Sequence, residues 1–374
     1  MRVLHINCNY IGTPLHQIMN ENLEALGYEN SVFVPTYNRN LSVIKPKENV
    51  CVCECFRKWD RLLFDYKQRK ICKALKNQYV VQNFDLIHAY TLFTDGNCAR
   101  NLYRQYGVPY VVAVRNTDVN DFFRLMPHLR ARGLRILLDA KKVFFLSEAY
   151  QNIVFKKYIP KKYHEKIRQK VQIIPNGIDD FWLEHPAEKL NKMGDIIKLI
   201  YAGRIDRNKN IPTIQKAAEI LRKKGYALQL TVVGKASDKR LLAKIKKDPF
   251  TRYLPVVPKE ELLGLYRAHN IFVMPSFTES FGLVYAEAMS QGLPIIYSAG
   301  QGFDCQFPEG KVGYRVFARN PESVAEQIEK VIQNFDEISA NTVPSAKVFC
   351  WQNIAKKYDA IYRTFGANEK TGNQ

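Results

Sequence analysis

Apolar residues along this chain fall into short, nearly unbroken runs, each followed by a longer stretch in which they recur every three or four positions. In the first half the runs are VLHIN (3–7), SVFVP (31–35), DLIHA (85–89), YVVAV (110–114), VFFLS (143–147) and VQIIP (171–175). The second half repeats the pattern with IKLIYAG (197–203), LQLTVVG (228–234), YLPVV (253–257), IFVMP (271–275) and PIIYS (294–298). β-Branched runs of this length predict strands, and the amphipathic spacing between them predicts helices, for example over 211–224, 237–247, 259–268 and 283–291. A strand that is apolar on both faces has to be covered on both faces, which is the condition of a parallel sheet between two helical layers. Two such series predict an α/β protein of two doubly wound, Rossmann-like domains.

The punctuation agrees. Residues 176–195, NGIDDFWLEHPAEKLNKMGD, lose periodicity and gain Pro, Gly and charge, as a domain boundary does. The expected division is an amino-terminal domain over 1–180, a second over 181–345, and 346–374 as a last helix (about 350–365) returning towards the first domain. The final NEKTGNQ reads as a frayed tail.

Composition changes this picture little. A chain of 374 residues supports two cores, and 46% apolar with 25% charged residues is ordinary for globular domains. No run reaches the length of a membrane-spanning helix, and MRVLHINCNY opens on a strand, not a signal peptide, so a cytoplasmic protein is the expectation. The eight cysteines lack zinc-site spacing: Cys51, Cys53 and Cys55 alternate as in a strand or extended loop, and free thiols are expected. Charge is more telling. The net charge is +20, and residues 100–170 hold 16 Lys and Arg against 5 Asp and Glu, which points to an anionic ligand or surface.

Candidate chemistry gathers in two loops. In FTESFGLVYAEAMSQGLP (277–294), Glu279 and Glu287 bracket a turn after the strand 271–275, and a helix starts near Gly282. Its first amides, around Phe281, Gly282 and Leu283, are unpaired within the helix and suit a phosphate, while glycine lets an anion approach without a Cβ in the way. Carboxylates are poor phosphate ligands but good acceptors for hydroxyls, so the two glutamates suit sugar rings on either side. On spacing alone, a Glu279 that only favours the helix dipole and a Glu287 on a solvated face stand equally open. The second loop, YAGRIDRNKN (201–210), carries Arg204 and Lys209 just before a helix. A guanidinium grips a diphosphate bidentately and lysine adds a point charge.

Together these loops resemble the retaining glycosyltransferases of family 4, which have the GT-B fold of two Rossmann-like domains facing a central cleft. The resemblance rests on Glu279 with Glu287, on Arg204 with Lys209–Asn210, and on IIPNGID (173–179), VVPKEELLGLYRAHNIFVMPS (256–276) and EAMSQGLPII (287–296). It implies a nucleotide-sugar donor in the carboxyl-terminal domain: Arg204 and Lys209 on the diphosphate with backbone at Gly282 and Leu283, Glu287 on the ribose, backbone at Val256–Val257 on the base, and Glu279 on the transferred sugar. It implies no metal and no cofactor beyond the substrate. A glycan or lipid-linked acceptor in polysaccharide biosynthesis would belong to the amino-terminal domain, where Gly12, Arg115 and Asn176 are the candidate binding residues.

That domain departs from the family pattern. NYIGTP (9–14) has one glycine, Gly12, where a pair is usual, and VVAVRNTDV (111–119) has Arg115 and Asn116 where a histidine often stands. Arg115 suits either an acidic sugar or phosphate, or an ion pair with Asp118. His88 and His16 are present, although a lone histidine at a strand end is more often structural. FFRLMPHLRARGLRILLDAKK (122–142) and KKYIPKKYHEKIRQK (156–170) interleave apolar and basic residues, as does a helix peripheral on the anionic inner face of a membrane, or one packed on a sheet with its bases in solvent. Nucleic acid is not expected, since no nucleic-acid module accompanies the basic charge. The rival readings are a sugar-nucleotide epimerase of related architecture and a non-catalytic sugar-nucleotide-binding protein.

Overall fold

The computed structural model describes residues 1–189 and 192–366; the terminal NEKTGNQ lies outside them. Among the described residues every strand pairing is parallel, and the strands form two sheets. The first holds β1 (Arg2–Ile6), β2 (Glu29–Thr36), β3 (Val50–Glu54), β4 (Leu86–Ala89), β5 (Tyr110–Val114), β6 (Lys142–Phe145) and β7 (Val171–Ile173), in the order β3-β2-β1-β4-β5-β6-β7. The second holds β8 (Ile197–Ala202), β9 (Leu228–Val233), β10 (Thr251–Leu254), β11 (Ile271–Met274), β12 (Ile295–Ser298) and β13 (Gly313–Val316), in the order β10-β9-β8-β11-β12-β13. Each sheet reverses its winding once, between β1 and β4 and between β8 and β11. In doubly wound sheets the crevice at the carboxyl edge of that reversal is where ligands bind.

The two-faced burial inferred from the apolar runs is explicit in β5. Tyr110, Val112 and Val114 enter one core cluster with Ile71, Phe93, Ile136 and Phe145. Val111 and Ala113 enter another with Val3, Leu86, Phe144 and the side chains of the helix Trp351–Gly366. The chain divides into two compact units: Met1–Leu146 with Tyr150–Gly177 and the carboxyl-terminal helix, and Ser147–Ala149 with Ile178–Cys350. That helix is integral to the first unit's core. Trp351, Ile354, Ala355, Tyr358 and Tyr362 are buried, and the Trp351 ring lies so close to Gly177 that a methyl there would fall within 2.4 Å of it.

Two strands differ from expectation, and a third settles an alternative left open. β10 ends at Leu254 instead of continuing through 257, because Pro255 has no N–H to give the ladder. Of the Cys51–Cys55 alternation, open between strand and extended loop, Cys51 and Cys53 lie in the edge strand β3, paired in parallel with β2, and all eight cysteines are free thiols as expected. β13 has four residues with Arg315 exposed, too short and too polar to read as an apolar run.

Trp351→Ala removes the largest buried side chain joining the last helix to this core and should cost about 3–5 kcal/mol of stability. Urea unfolding of the variant tests this; a loss below about 1 kcal/mol would show that the helix is dispensable to the first unit.

Candidate functional site

The reversal between β8 and β11 brings the loops 203–210 and 275–282 side by side. Asn208 fastens them: its backbone carbonyl accepts from Phe277 N (2.8 Å), its Nδ2 donates to Thr278 O (2.8 Å), and its Oδ1 accepts from Thr278 N (3.0 Å). The next residues turn the chain into the helix Ile211–Lys223. Asn210 takes a left-handed conformation (φ 58°) and donates from Nδ2 to Pro275 O at 3.0 Å, a second link between the loops. Between these asparagines Lys209 reaches across, and its ammonium pairs with Glu279 at 2.5 Å. Both side chains are largely buried, at 15% and 10% exposure.

Glu279 is fixed from several sides. Its amide donates to Gln301 Oε1 (2.9 Å), its carbonyl accepts from Gly302 N (2.9 Å), and its Oε1 accepts from Ser280 N (3.1 Å). Gly302 allows this because a Cβ there would sit 1.8 Å from the Ser280 carbonyl oxygen. Gly282 then takes a left-handed turn (φ 80°) into the helix Leu283–Ser290; a Cβ on it would strike the Tyr285 ring at 2.5 Å. The Tyr285 hydroxyl donates to Met274 O at 2.6 Å and ties the helix back to β11. The amides at Gly282 and Leu283 thus open a helix beside a held ion pair. Arg204, in the loop after β8, is 72% exposed and only loosely paired with Asp206, at 3.6 Å. It is the exposed cation of the site and Lys209 the buried, paired one. Arg204, Asp206 and Glu279 all lie within electrostatic reach of the Tyr201 hydroxyl, which burial holds well above the usual phenol range.

Glu287 is half-buried on the same helix, away from the Lys209–Glu279 pair. Its neighbours are Asp179 and Lys259, which pair with each other. No hydrogen bond to the Glu287 carboxylate is found among the described residues. Burial, reinforced by Asp179 and opposed by Lys259, pushes its acidity from 4.5 up to about 7. Val257 is half-exposed in the connection between β10 and the helix Lys259–Arg267, so the loop bearing it leads directly to a neighbour of Glu287.

In the first unit Arg115 and Asn176 meet: Arg115 Nη1 donates to Asn176 Oδ1 at 3.2 Å, and Nε donates to Tyr90 O at 3.3 Å. The ion pair with Asp118 is not formed. The Asp118 carboxylate instead accepts backbone amides of Leu92 (2.9 Å), Phe93 (3.1 Å) and Arg115 itself (2.8 Å), at the start of a π-helical turn, Asp118–Phe123. Three amides satisfy a buried carboxylate without the guanidinium. Gly12 is exposed, with nothing within 4 Å of a Cβ built on it, so neither packing nor backbone geometry requires glycine there. His88 and His16 are buried: His88 Nδ1 meets Tyr362 OH at 2.5 Å and its ring stacks on Tyr90, the His16 ring meets Tyr90 edge-on, and burial holds both imidazoles well below their usual range.

Sequence reasoning had placed Arg204, Lys209, Glu279, Gly282 and Leu283 at one edge, and the structure has them on adjoining loops and one helix start. It passed over Asn208 and Gln301, whose amide side chains set the loop geometry. The one available signal for Asn208 was its place in an Asn- and Gly-rich strand-to-helix connection. In 122–142, Leu129, Ile136 and Leu137 are buried in the core, Arg130 donates to Phe123 O, and Arg132 pairs with Asp65. Most of the apolar side of that stretch is therefore covered by protein, with Leu125 left exposed beside the outward charges.

Two family models account for most of the chain. Residues 184–347 match glycosyl transferases group 1, and residues 19–180 match glycosyltransferase family 4. The chain belongs to the group 1, family 4 glycosyltransferases. Among its relatives is a D-inositol 3-phosphate glycosyltransferase of Paenarthrobacter aurescens, 27% identical over 306 residues, covering 75% of this chain and 73% of the relative. Another is an alpha-monoglucosyldiacylglycerol synthase of Acholeplasma laidlawii, 25% identical over 374 residues, covering 92% and 91%. The fold of this glycosyltransferase is that of a sucrose-phosphate synthase from Thermosynechococcus elongatus (TM-score 0.75, 20% identity, 98% of this chain and 100% of that one). Anabaena Alr3699/HepE in complex with UDP and glucose shares it as well (TM-score 0.68, 15% identity, 97% and 100%).

The acidity of Glu287 gives this glycosyltransferase a pH signature. The native carboxyl holds its proton up to about pH 7, while the unfolded one releases it near 4.5, so the native state binds more protons in that window and loses stability as pH rises through it. Asp95, at about 7, and Asp118, at about 6, push the same way, both through burial. Glu287→Gln should shed less stability than the wild type between those pH values in urea titrations. An unchanged pH slope would show that Glu287 is not desolvated.

Proposed function

We propose that this glycosyltransferase moves a hexosyl group from a nucleoside-diphosphate sugar to a glycan or lipid-linked acceptor in polysaccharide biosynthesis, with retention at the anomeric carbon. The observation that carries the reading is the Lys209–Glu279 pair at the winding reversal of the second sheet, beside the opening amides of the helix at Gly282. A diphosphate placed on those amides meets the helix dipole, the ammonium of Lys209 and the guanidinium of Arg204 at once. As phosphate engages Lys209, Glu279 exchanges an ammonium partner for sugar hydroxyls. Glu287, whose carboxylate has no hydrogen bond among the described residues, accepts from the ribose, and the backbone around Val257 lies beside the base.

In the reaction the bond between the anomeric carbon and the donor phosphate oxygen breaks, and the acceptor oxygen bonds to the same face of that carbon. The acceptor proton passes to the departing phosphate oxygen. The protein's main task is to stabilise charge on the diphosphate, which cations and amides fixed in advance do well in a partly dry site. The relatives named for glycosyl transfer to an inositol phosphate and for glucosyldiacylglycerol synthesis, and the UDP- and glucose-bound fold neighbour, support this choice of donor class and of a polar or lipid acceptor. A cytoplasmic protein peripheral on an anionic inner membrane face agrees with the basic stretch 122–170.

A panel of nucleotide sugars in a thermal-shift assay should single out one donor that stabilises the protein, since a ligand bound only to the native state adds stability by mass action. Arg204→Ala and Lys209→Ala should lower transfer from that donor by about 100- to 1000-fold with the circular dichroism spectrum kept. Near-normal turnover in both would defeat the mechanism. Donor binding at pH near 6 should release a proton from Glu287, read by calorimetry in two buffers, and Glu287→Gln should abolish that release.

A further inference from the structure

Of the exposed large apolar side chains of the first unit, four lie together in one short segment, while Val43, Val80 and Leu125 stand singly elsewhere. Trp59 (78% exposed), Leu62 (77%), Leu63 (64%) and Tyr66 (49%) lie on a 3-10 turn, Lys58–Leu62, and on the first turn of the helix Phe64–Gln78 that follows it. The other two tryptophans, Trp182 and Trp351, are 2% exposed. Water-exposed Trp, Leu and Tyr side by side, with Arg57, Lys58 and Arg61 exposed among them, do not arise from any packing need of the unit. The acids of the segment are spoken for: Asp60 pairs with Lys70 at 2.6 Å and Asp65 with Arg132.

Beside this tip runs a groove of about 480 Å³ between three helices. Arg69, Lys73 and Lys76 line it from Phe64–Gln78, Arg100 from Thr94–Tyr106, and Arg132 and Arg135 from Arg130–Asp139. Asp65, itself paired, is the one carboxylate in the lining. Arg100 is held by Asp139 at 2.7 Å, while among the described residues no carboxylate pairs with Arg69, Lys73 or Arg135. At the floor Gln68 is 2% exposed; its Oε1 accepts from Asn97, and its Nε2 has no acceptor. Asp65, Arg69 and Lys73, four apart, form one stripe that leads from the apolar tip into the groove.

We propose that residues 57–76 are a membrane-docking surface: Trp59, Leu62, Leu63 and Tyr66 enter the interfacial layer of an anionic bilayer, and the groove of Arg69, Lys73 and Arg135 takes a lipid phosphate. Two features favour a bilayer over a protein partner. Four apolar side chains fall short of the roughly 800 Å² per side that a stable protein interface buries. A bilayer offers phosphates and an apolar layer at adjacent depths, matching a basic groove beside an aromatic tip, and Trp and Tyr settle at that boundary. The inference places the contact on a different segment from 122–170, which contributes only Arg132 and Arg135 to the groove. It is independent of the donor assignment, because no donor residue takes part.

The full chain should co-sediment with phosphatidylglycerol–phosphatidylcholine vesicles and not with phosphatidylcholine alone. Its tryptophan emission should shift to the blue on binding, a signal due to Trp59 and lost in Trp59→Phe. Leu62→Ser with Leu63→Ser should weaken vesicle binding at least about tenfold at any salt. Arg69→Glu with Lys73→Glu and Arg135→Glu should weaken it as much at low salt and leave a salt-insensitive residue. All substituted side chains are exposed, and matching thermal melts confirm the fold. The proposal fails if the wild type ignores anionic vesicles, or if both variants bind as it does. It fails too if the groove binds inorganic tripolyphosphate but no vesicle, which assigns a soluble anion, or if the leucine variant instead dissolves a dimer.

Discussion

The second unit is organised around one ammonium that crosses from the loop after β8 to the loop after β11. Lys209 and Glu279 are both largely withdrawn from water, and parting two charges so placed would leave each uncompensated. Everything near them serves that contact. Asn208 and Asn210 fasten the two loops through backbone groups, Gln301 and Gly302 hold the main chain of Glu279, and Ser280 N–H takes its second oxygen. The ion pair adds little net stability in such a setting, but it fixes the position of a cation where the strand winding reverses. An anion binding there finds its counter-charge in place and need not order a flexible lysine from solution.

Close backbone contact is the second constraint, and glycine meets it at two points. Gly302 passes against Ser280 with no room for a methyl, and Gly282 combines a left-handed turn with the flank of Tyr285. Together they bring the helix start, the Glu279 loop and the loop after β12 closer than side chains would allow. This is why the amides at Gly282 and Leu283 open onto the same edge as Lys209. The glycines here are steric requirements of the site and Gly12 is not, which matches the first unit's departure from the family pattern at that turn.

The legible part of the sequence was whatever acts locally. Continuous apolar runs gave the parallel strands, because burial on both faces leaves no polar alternation, and the loops at their carboxyl ends followed. Environments built from distant segments were not legible. The acidity of Glu287 depends first on its burial and then on Asp179 and Lys259, from a loop and a helix distant in sequence, and the partners of Asp118 are backbone amides that leave no trace in residue identity. Periodicity also says nothing about what covers a helix. Residues 122–142 read equally as a membrane-surface helix or as one packed on the sheet, because the burial of Leu129, Ile136 and Leu137 leaves no mark in the periodicity. Trp59, Leu62 and Leu63 sit in a turn without periodicity, where the same kind of reading had nothing to detect.

Both units hold surplus positive charge, but they display it in physically different ways. In the second unit Lys209 is desolvated and neutralised by Glu279, so its field is short-ranged, little screened by salt, and available only to a ligand that displaces a carboxylate. A ligand that did so would be selected by what it offers the displaced acid in exchange, which on the proposed reading is hydroxyls. In the first unit Arg69, Lys73 and Arg135 stand in water with no carboxylate partner among the described residues, so their field extends about a Debye length and draws any dense anionic surface. Such charges attract without discriminating, and the neighbouring apolar tip supplies the selection by rewarding only an anion that carries hydrocarbon beside it. Buried pairing suits a small substrate that must be chosen from many similar ones, and exposed charge suits a surface that has only to be found.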